Sequence, residues 1–515
     1  MMGKKIQISQ ILYSLLISIA LMVINAPAIS RHLKSLIDNG FGYNNFVSDL
    51  VIIFGINFAF FILIFSISKI FGKAVSAISI FVASIYSYYV VKINVFLYPA
   101  IIQGILVSRK DDAIGMLIDL QIYLYGAIGL LIGLFFCFKF IVSNVKNKID
   151  YVKKVSIIIV STAILALMIN SGSIKSAKIE NAQSQIFPIA LLQTKYIKLL
   201  TRQQIIKYDY QDFKYTDTQP EPLKVVFILG ESLRSDRLGL NGYKKNTTPL
   251  LEKEKNLVSF GKVESCATAT NEALRCILSN VKYKDLNKIK ASFVPIFTNL
   301  GFKTHWYSAQ NRVQIHNLDF FGANKILFSQ DLTSLYLKPE IKDMDLLNLI
   351  EIDKNKNEMY FFHTIGSHEK HSERYPRDFA IFKPDLGNSE QEIDNSYDNS
   401  VFYTDTFIKS VIDKFRNENA IIIFTSDHGN SLLSDHTGFA SHATPIEIAP
   451  REQREVPLLI YYSDKYQKYN PEKVKKITAK SKSEKNNLKH EAIFHTVLQC
   501  GGVKSDLINQ NLSLC

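Results

Sequence analysis

The sequence predicts an α-helical membrane domain followed by an α/β domain with a mostly parallel central sheet. Three observations carry that expectation. Long apolar runs crowd the first third of the 515 residues, although overall hydrophobic content is an ordinary 47%. Beyond them, short apolar runs of strand length alternate with helical patterns, which is how doubly covered strands read. Between the two parts, Gln219-Pro-Glu-Pro222 marks a boundary.

A membrane-spanning helix needs roughly 20 mostly apolar residues. Segments at about 9–29, 50–68, 74–91, 122–142 and 155–172 approach that length, the last ending in Ser171-Gly172. A signal peptide would explain the first run alone, and Asn25-Ala-Pro-Ala is a weak cleavage site. Lys4 and Lys5 precede the first span, Lys69 and Lys73 follow the second, and Lys139, Lys146, Lys148, Lys153 and Lys154 separate the fourth from the fifth. The alternate side carries Arg31, Lys34, Lys92, Arg109 and Lys110, with Asp111 and Asp112. This bias places the N-terminus in the cytoplasm and everything after about residue 172 outside it. The net charge of +13 accompanies no nucleic-acid-binding signature. Lysines beside the apolar segments suit an anionic lipid surface instead.

Three parts are expected: a membrane domain over 1–172, a connector over 173–220 and an outer domain over 221–515. In the connector, Pro188–Ile206 alternates apolar and basic residues with helical spacing. It reads either as an amphipathic helix lying on the membrane or against the outer domain, or as a simply packed one. The outer domain holds the cysteines Cys266, Cys276, Cys500 and Cys515, whereas Cys137 falls in a span. Outside the cytoplasm disulfides persist, and proximity favours Cys266–Cys276 and Cys500–Cys515 among three pairings.

In the outer domain Leu223–Leu229, Glu358–Phe362, Ala420–Thr425 and Val456–Tyr462 read as buried strands. Ligands of such sheets bind beyond the carboxyl ends of the strands. There stand Gly230-Glu231-Ser232, His363 and His368, and Ser426-Asp427-His428-Gly429. Any one of them is more often a cap or a loop residue; three strand ends together suit a metal ion, Zn²⁺ first and Mn²⁺ second. Thr270 precedes a helical stretch, Asn271–Leu278, so its hydroxyl would lie at a helix N-terminus, where anions are favoured. Alone it would be an N-cap. Beside a metal it becomes a nucleophile, because coordination lowers the pKa of a hydroxyl.

The segments Val226–Ser232, Leu240–Tyr243, Thr247–Pro249, Cys266-Ala-Thr-Ala-Thr270 through Cys276, His363–His368 and Ser426–Gly429 resemble the motifs of bacterial phosphoethanolamine transferases. These are membrane members of the alkaline phosphatase and sulfatase superfamily, and the resemblance runs along the whole chain. It implies an alkaline-phosphatase-like outer domain. By position, Glu231, Thr270, Asp427 and His428 match the zinc ligands, Thr270 being also the nucleophile. His368 and His442, the latter in Ala440-Ser-His-Ala-Thr-Pro445, match histidines for the transferred phosphate or a second zinc. His436 is the alternative to His442, but the run to Ala449-Pro-Arg-Glu-Gln453 aligns better with His442. Cys266 and Cys276 match a family disulfide.

The sequence departs from the pattern in places. A Trp-Arg-Asp-Asn segment with a downstream lysine is replaced by Trp306-Tyr-Ser-Ala-Gln-Asn-Arg312, and extra disulfides of some relatives have no cysteines here. In the loop after the third span, Ser108 and Asp112 stand where the family has Thr and Glu, and Gly104 where Asn is common. There the resemblance implies headgroup contact, and a plain surface loop is the competing reading.

The implied reaction moves phosphoethanolamine from phosphatidylethanolamine, through an ester on Thr270, to lipid A or core sugars of lipopolysaccharide, or to a protein or glycan. The implied place is the bacterial inner membrane, with the catalytic domain periplasmic. One rival is a glycerol-phosphate transferase similar to lipoteichoic acid synthase, using Mn²⁺. Another is a module that only holds a headgroup. A sulfatase activity is disfavoured, since no Cys/Ser-x-Pro-x-Arg segment is present.

Overall fold

The protein is described from a computed structural model, which covers residues 8–26, 29–30, 43–92, 213–216, 220–280, 292–311, 322–435, 442–444, 446 and 449–515. The chain divides into two compact units, Met1–Arg202 and Gln203–Cys515.

In the first unit the described helices are α1 (Ile8–Ile24), α2 (Tyr43–Ile67) and α3 (Lys69–Lys92). They fall on the first three apolar segments. The segments at 122–142 and 155–172, Cys137, the loop with Ser108 and Asp112, and the connector helix at 188–206 lie outside the described residues. Ile17, Leu21, Phe61, Phe65, Ile80 and Ala83 pack together between the helices. Several polar groups inside the bundle find partners: Gln10 Nε2 donates to the Phe65 carbonyl at 2.8 Å, and the Ser14 and Ser18 hydroxyls donate to carbonyls four residues back. Among the described residues, no helix meets the length and apolarity together needed to cross a membrane. Length is not what α2 lacks, for its 25 residues rise about 37 Å against roughly 30 Å of hydrocarbon. Its Leu50–Ile67 portion carries no charged side chain.

The second unit is built on an eight-stranded sheet ordered β5-β4-β6-β2-β7-β8-β3-β9. Its strands are β2 (Leu223–Gly230), β3 (Leu257–Glu264), β4 (Lys303–Ser308), β5 (Lys325–Leu327), β6 (Glu358–His363), β7 (Asn419–Ser426), β8 (Glu455–Tyr462) and β9 (Leu488–Lys489). From β5 to β7 every pairing is parallel. Beyond them β8 runs antiparallel to both β7 and β3, so the sheet is mixed at that side. Outside it, β1 (Lys214–Tyr215) pairs with β10 (Val503–Lys504), and Phe213 joins the core of this unit.

The continuous apolar runs are explained by burial on both faces. Along β2, Val225, Phe227 and Leu229 enter one core, while Val226 and Ile228 enter the other. The first core is covered by α4 (Thr270–Leu278), α5 (Phe293–Asn299) and a C-terminal helix, α7 (Glu491–Cys500). The second is covered by α6 (Glu390–Phe415), which starts at a capping box: the Ser389 hydroxyl accepts from Glu392 N–H, and the Glu392 carboxylate accepts from Ser389 N–H. Lys224 is the one polar residue of the expected Leu223–Leu229 strand and is fully buried, its Nζ 3.1 Å from Glu358 of β6. That pair lies at the amino ends of the strands. The carboxyl ends are left for chemistry.

Register brings those ends level. Leu229 pairs with His363, Gly230 with Ser426, and Ser308 with His363. The residues following β2, β4, β6 and β7 therefore share one edge of the sheet. Disulfides join Cys266 to Cys276 and Cys500 to Cys515.

Candidate metal and nucleophile site

The chain leaves β2 through Glu231 and turns sharply at Ser232, whose φ of 58° lies in the left-handed region. Strain of this kind persists where the surroundings over-determine it. Ser232 N–H donates to Asp427 Oδ1 at 3.0 Å, its hydroxyl donates to Glu231 Oε1 at 2.8 Å, and its carbonyl accepts from the buried Tyr397 hydroxyl at 2.7 Å. Gly366, after β6, sits against the Glu231 backbone so closely that a Cβ would lie 2.7 Å from the Glu231 carbonyl oxygen. Glu231 is pinned from both neighbouring strands.

Asp427 and His428 follow β7. Asp427 Oδ1 accepts from His428 N–H at 2.7 Å. His428 Nδ1 donates to the Gly429 carbonyl at 2.9 Å, so Nε2 is the ring nitrogen that faces the site. That Nε2 lies 3.2 Å from Asp427 Oδ2 and 3.5 Å from Glu231 Oε1. The three residues are buried, and they form the group of potential ligands found among the described residues.

Thr270 completes the constellation. The N-cap of α4 is Ala269, in extended conformation, so Thr270 is the first helical residue and its hydroxyl is not spent on capping. It donates to Glu231 Oε2 at 3.1 Å and lies 3.3 Å from His428 Nε2. The Cys266–Cys276 bridge closes the loop around it. Ser265, just before the bridge, donates through its hydroxyl to the Asp427 carbonyl at 2.8 Å, tying this segment to the end of β7.

Two acids this close disfavour each other's charge. Burial and the Asp427 charge push Glu231 well above the usual carboxylate range. Burial acts on Asp427 too, but the charge of His428 and the Ser232 N–H hold it below its ordinary value. A divalent cation would favour the ionised form of both. Its fit is tested by Asp427 Oδ2, a buried oxygen that accepts no hydrogen bond among the described residues. Such an orphan, with a second carboxylate, an imidazole nitrogen and a hydroxyl converging on it, has the oxygen and nitrogen donors zinc takes.

The two further histidines lie beside this group. The rings of His442 and His428 stack with centroids 4.5 Å apart, and His368 lies 5.7 Å from His442. His442 Nδ1 meets Asn430 Oδ1 at 3.2 Å. Burial, then the nearby His428 charge, lower His442 to about 3; burial and Arg374 hold His368 well below its normal value. Both stay neutral at physiological pH. His363, the end of β6, is instead a buried core residue lowered by burial to about 4. His436 lies outside the described residues.

One participant is missing from the sequence reading. Gln310 is buried, and its Nε2 donates to Glu231 Oε2 and to the Thr364 carbonyl, at 3.1 and 3.0 Å. It stands two residues beyond β4, within the segment that departs from the transferase pattern. The strand Lys303-Thr-His-Trp-Tyr-Ser308 is too polar to read as one, so its carboxyl end carries no signal in the sequence.

Comparison with known proteins agrees with this architecture. The sulfatase family profile matches residues 224–503, more than half of the chain, and the chain belongs to that family, within the alkaline phosphatase and sulfatase superfamily. Among curated proteins, the Kdo(2)-lipid A phosphoethanolamine 7''-transferase of Escherichia coli K12 is 34% identical over 326 residues, 59% of this chain and 56% of that protein. The chain thus spans about half the length of the curated relatives it matches. Among solved structures, the integral membrane lipooligosaccharide phosphoethanolamine transferase A of Neisseria meningitidis superposes with a TM-score of 0.77 at 21% identity, over 98% of this chain and 97% of that one. The C-terminal periplasmic domain of Escherichia coli EptC, in complex with Zn, gives 0.50 at 23% identity, over 59% and 88%. At these identities the structural likenesses establish the fold.

Proposed function

We propose that the protein is a zinc-dependent phosphoethanolamine transferase of the bacterial inner membrane. The observation that carries this is the Thr270 hydroxyl, held at the start of α4 between Glu231 Oε2 and His428 Nε2. The donor is phosphatidylethanolamine. The acceptor is lipid A or core sugars of lipopolysaccharide, or in a second role a protein or glycan, in line with the names of the relatives. Five spans, a cytoplasmic N-terminus and a periplasmic catalytic domain belong to the same proposal, as does headgroup contact by Ser108 and Asp112.

Glu231, Asp427, His428 and Thr270 would hold the metal, one Zn²⁺ with Mn²⁺ as second choice, and His368 with His442 would hold the phosphate or a second ion. The bound cation would supply positive charge that eases deprotonation of the hydroxyl and offsets charge on the phosphoryl oxygens. Gln310 and Ser232 orient the Glu231 carboxylate, and the N-terminus of α4 would favour the anion through its helix dipole. Thr270 Oγ attacks the phosphorus, the bond from phosphorus to the glycerol oxygen breaks, and diacylglycerol leaves with a proton. An acceptor oxygen then attacks the same phosphorus, gives up its proton, and Thr270 regains its hydroxyl.

Metal-loaded protein in detergent, given phosphatidylethanolamine with labelled acyl chains, should release labelled diacylglycerol, and Thr270→Ala should not. Release from phosphatidylglycerol alone would support the glycerol-phosphate transferase, and release from neither lipid would support a headgroup-binding module.

A further inference from the structure

The segment around Thr270 contains a second threonine to which the proposed reaction gives no task. Thr268 is buried, and its spacing suggests a local hydrogen bond. Its hydroxyl instead donates to the backbone carbonyl of Thr444, 176 residues away. In the opposite sense, Ala443 N–H donates to the Thr268 carbonyl at 2.7 Å. One residue of the nucleophile segment thus clasps two consecutive residues that directly follow His442.

The clasped segment is tied from its other side as well. Thr444 N–H donates to Gln453 Oε1 at 3.2 Å, and Gln453 Nε2 donates to Ser431 Oγ at 3.2 Å. Ala443, between the ties, has a φ of 64°, in the region that favours glycine. An alanine there costs on the order of 1 kcal/mol, so its neighbours must hold it in place. The residue before it is His442, stacked on His428. Thr268 itself stands two residues before Thr270, inside the loop closed by Cys266–Cys276. A shift of the clasp is therefore carried to both sides of the site.

We infer that Thr268 is a positioning residue which locks His442 to the nucleophile segment, so that Thr270 and His442 meet an anionic phosphoryl group at a fixed separation. The inference deepens the proposed reaction and rests on His442 contacting that group. Of two near-isosteric replacements, valine removes the donor and serine keeps it.

Inorganic phosphate is the probe, its affinity measured by calorimetry on the full-length, metal-loaded protein in detergent. Thr268→Val should weaken phosphate about tenfold, and Thr268→Ser should stay within about twofold of wild type. In a His442→Ala background, Thr268→Val should cost less than about twofold, because its partner in function is already gone. Equal losses in both backgrounds, a Thr268→Val protein that binds like wild type, or a wild type that binds no phosphate would each overturn the inference. Should Thr268→Val not fold, Thr268→Ala is read in the same cycle. A Thr270 adduct assay run in parallel separates the two claims. Coupling without an adduct removes only the transferase reading; an adduct without coupling removes only the clasp.

Discussion

Gln310 shows how much one amide can decide. Its two bonds fix the Glu231 carboxylate between the Thr270 hydroxyl and the Thr364 backbone. Removing such a partner typically costs 10–100-fold in metal affinity. Gln310→Ala should therefore lower zinc affinity by roughly that factor with little change in melting temperature, measured by competition with a chromophoric chelator. A second prediction at this scale concerns His495, far along the chain in α7. It is buried, its Nδ1 accepts from Asn509 N–H at 3.1 Å, and burial lowers it to about 4 from an ordinary 6.5. The neutral ring is what the fold stabilises. Its contribution is present above pH 6.5 and is lost as pH falls from there towards 4, because the unfolded chain then binds the proton more readily. Urea melts of His495→Gln should show a shallower loss of stability than wild type across that window.

Among the elements, the short helix α4 and its disulfide matter most. Closing the loop of sequence separation 10 should be worth about 2–3 kcal/mol. Replacing Cys266 and Cys276 together by serine should lower the unfolding free energy by that amount in urea, and lower turnover as Thr270 loses its fixed place. Much of this element was legible beforehand: the helix after Thr270, the fenced loop and both disulfide pairings follow from local pattern and cysteine spacing. The four buried strands are likewise legible, because burial on both faces writes an uninterrupted apolar run. Other elements are not. The strand β4 hides behind Lys303, Thr304 and His305, which find partners only in the folded sheet, and Gln310 is hidden with it. Likewise the antiparallel course of β8 is hidden, because a buried run carries no sign of direction. Thr268 reads as local because a side chain does not announce a partner 176 residues away.

Across the whole molecule, the proposed function makes the second unit the seat of the chemistry, and the metal would serve that chemistry rather than the fold. Two hydrophobic cores cover both faces of the sheet without drawing on Glu231, Asp427 or His428. Chelation should thus abolish turnover while near-UV circular dichroism stays native, and global unfolding on chelation would make the metal structural. The covalent use of Thr270 is the step on which the proposed reaction turns. Its most direct test is to incubate purified, zinc-loaded protein with phosphatidylethanolamine, quench in acid, and examine the peptide that contains Thr270 by mass spectrometry. A phosphoethanolamine group should be found on Thr270, discharged when an acceptor glycolipid is added and absent in Thr270→Ala. Diacylglycerol release with an unmodified Thr270, or with the group on another residue, would contradict it.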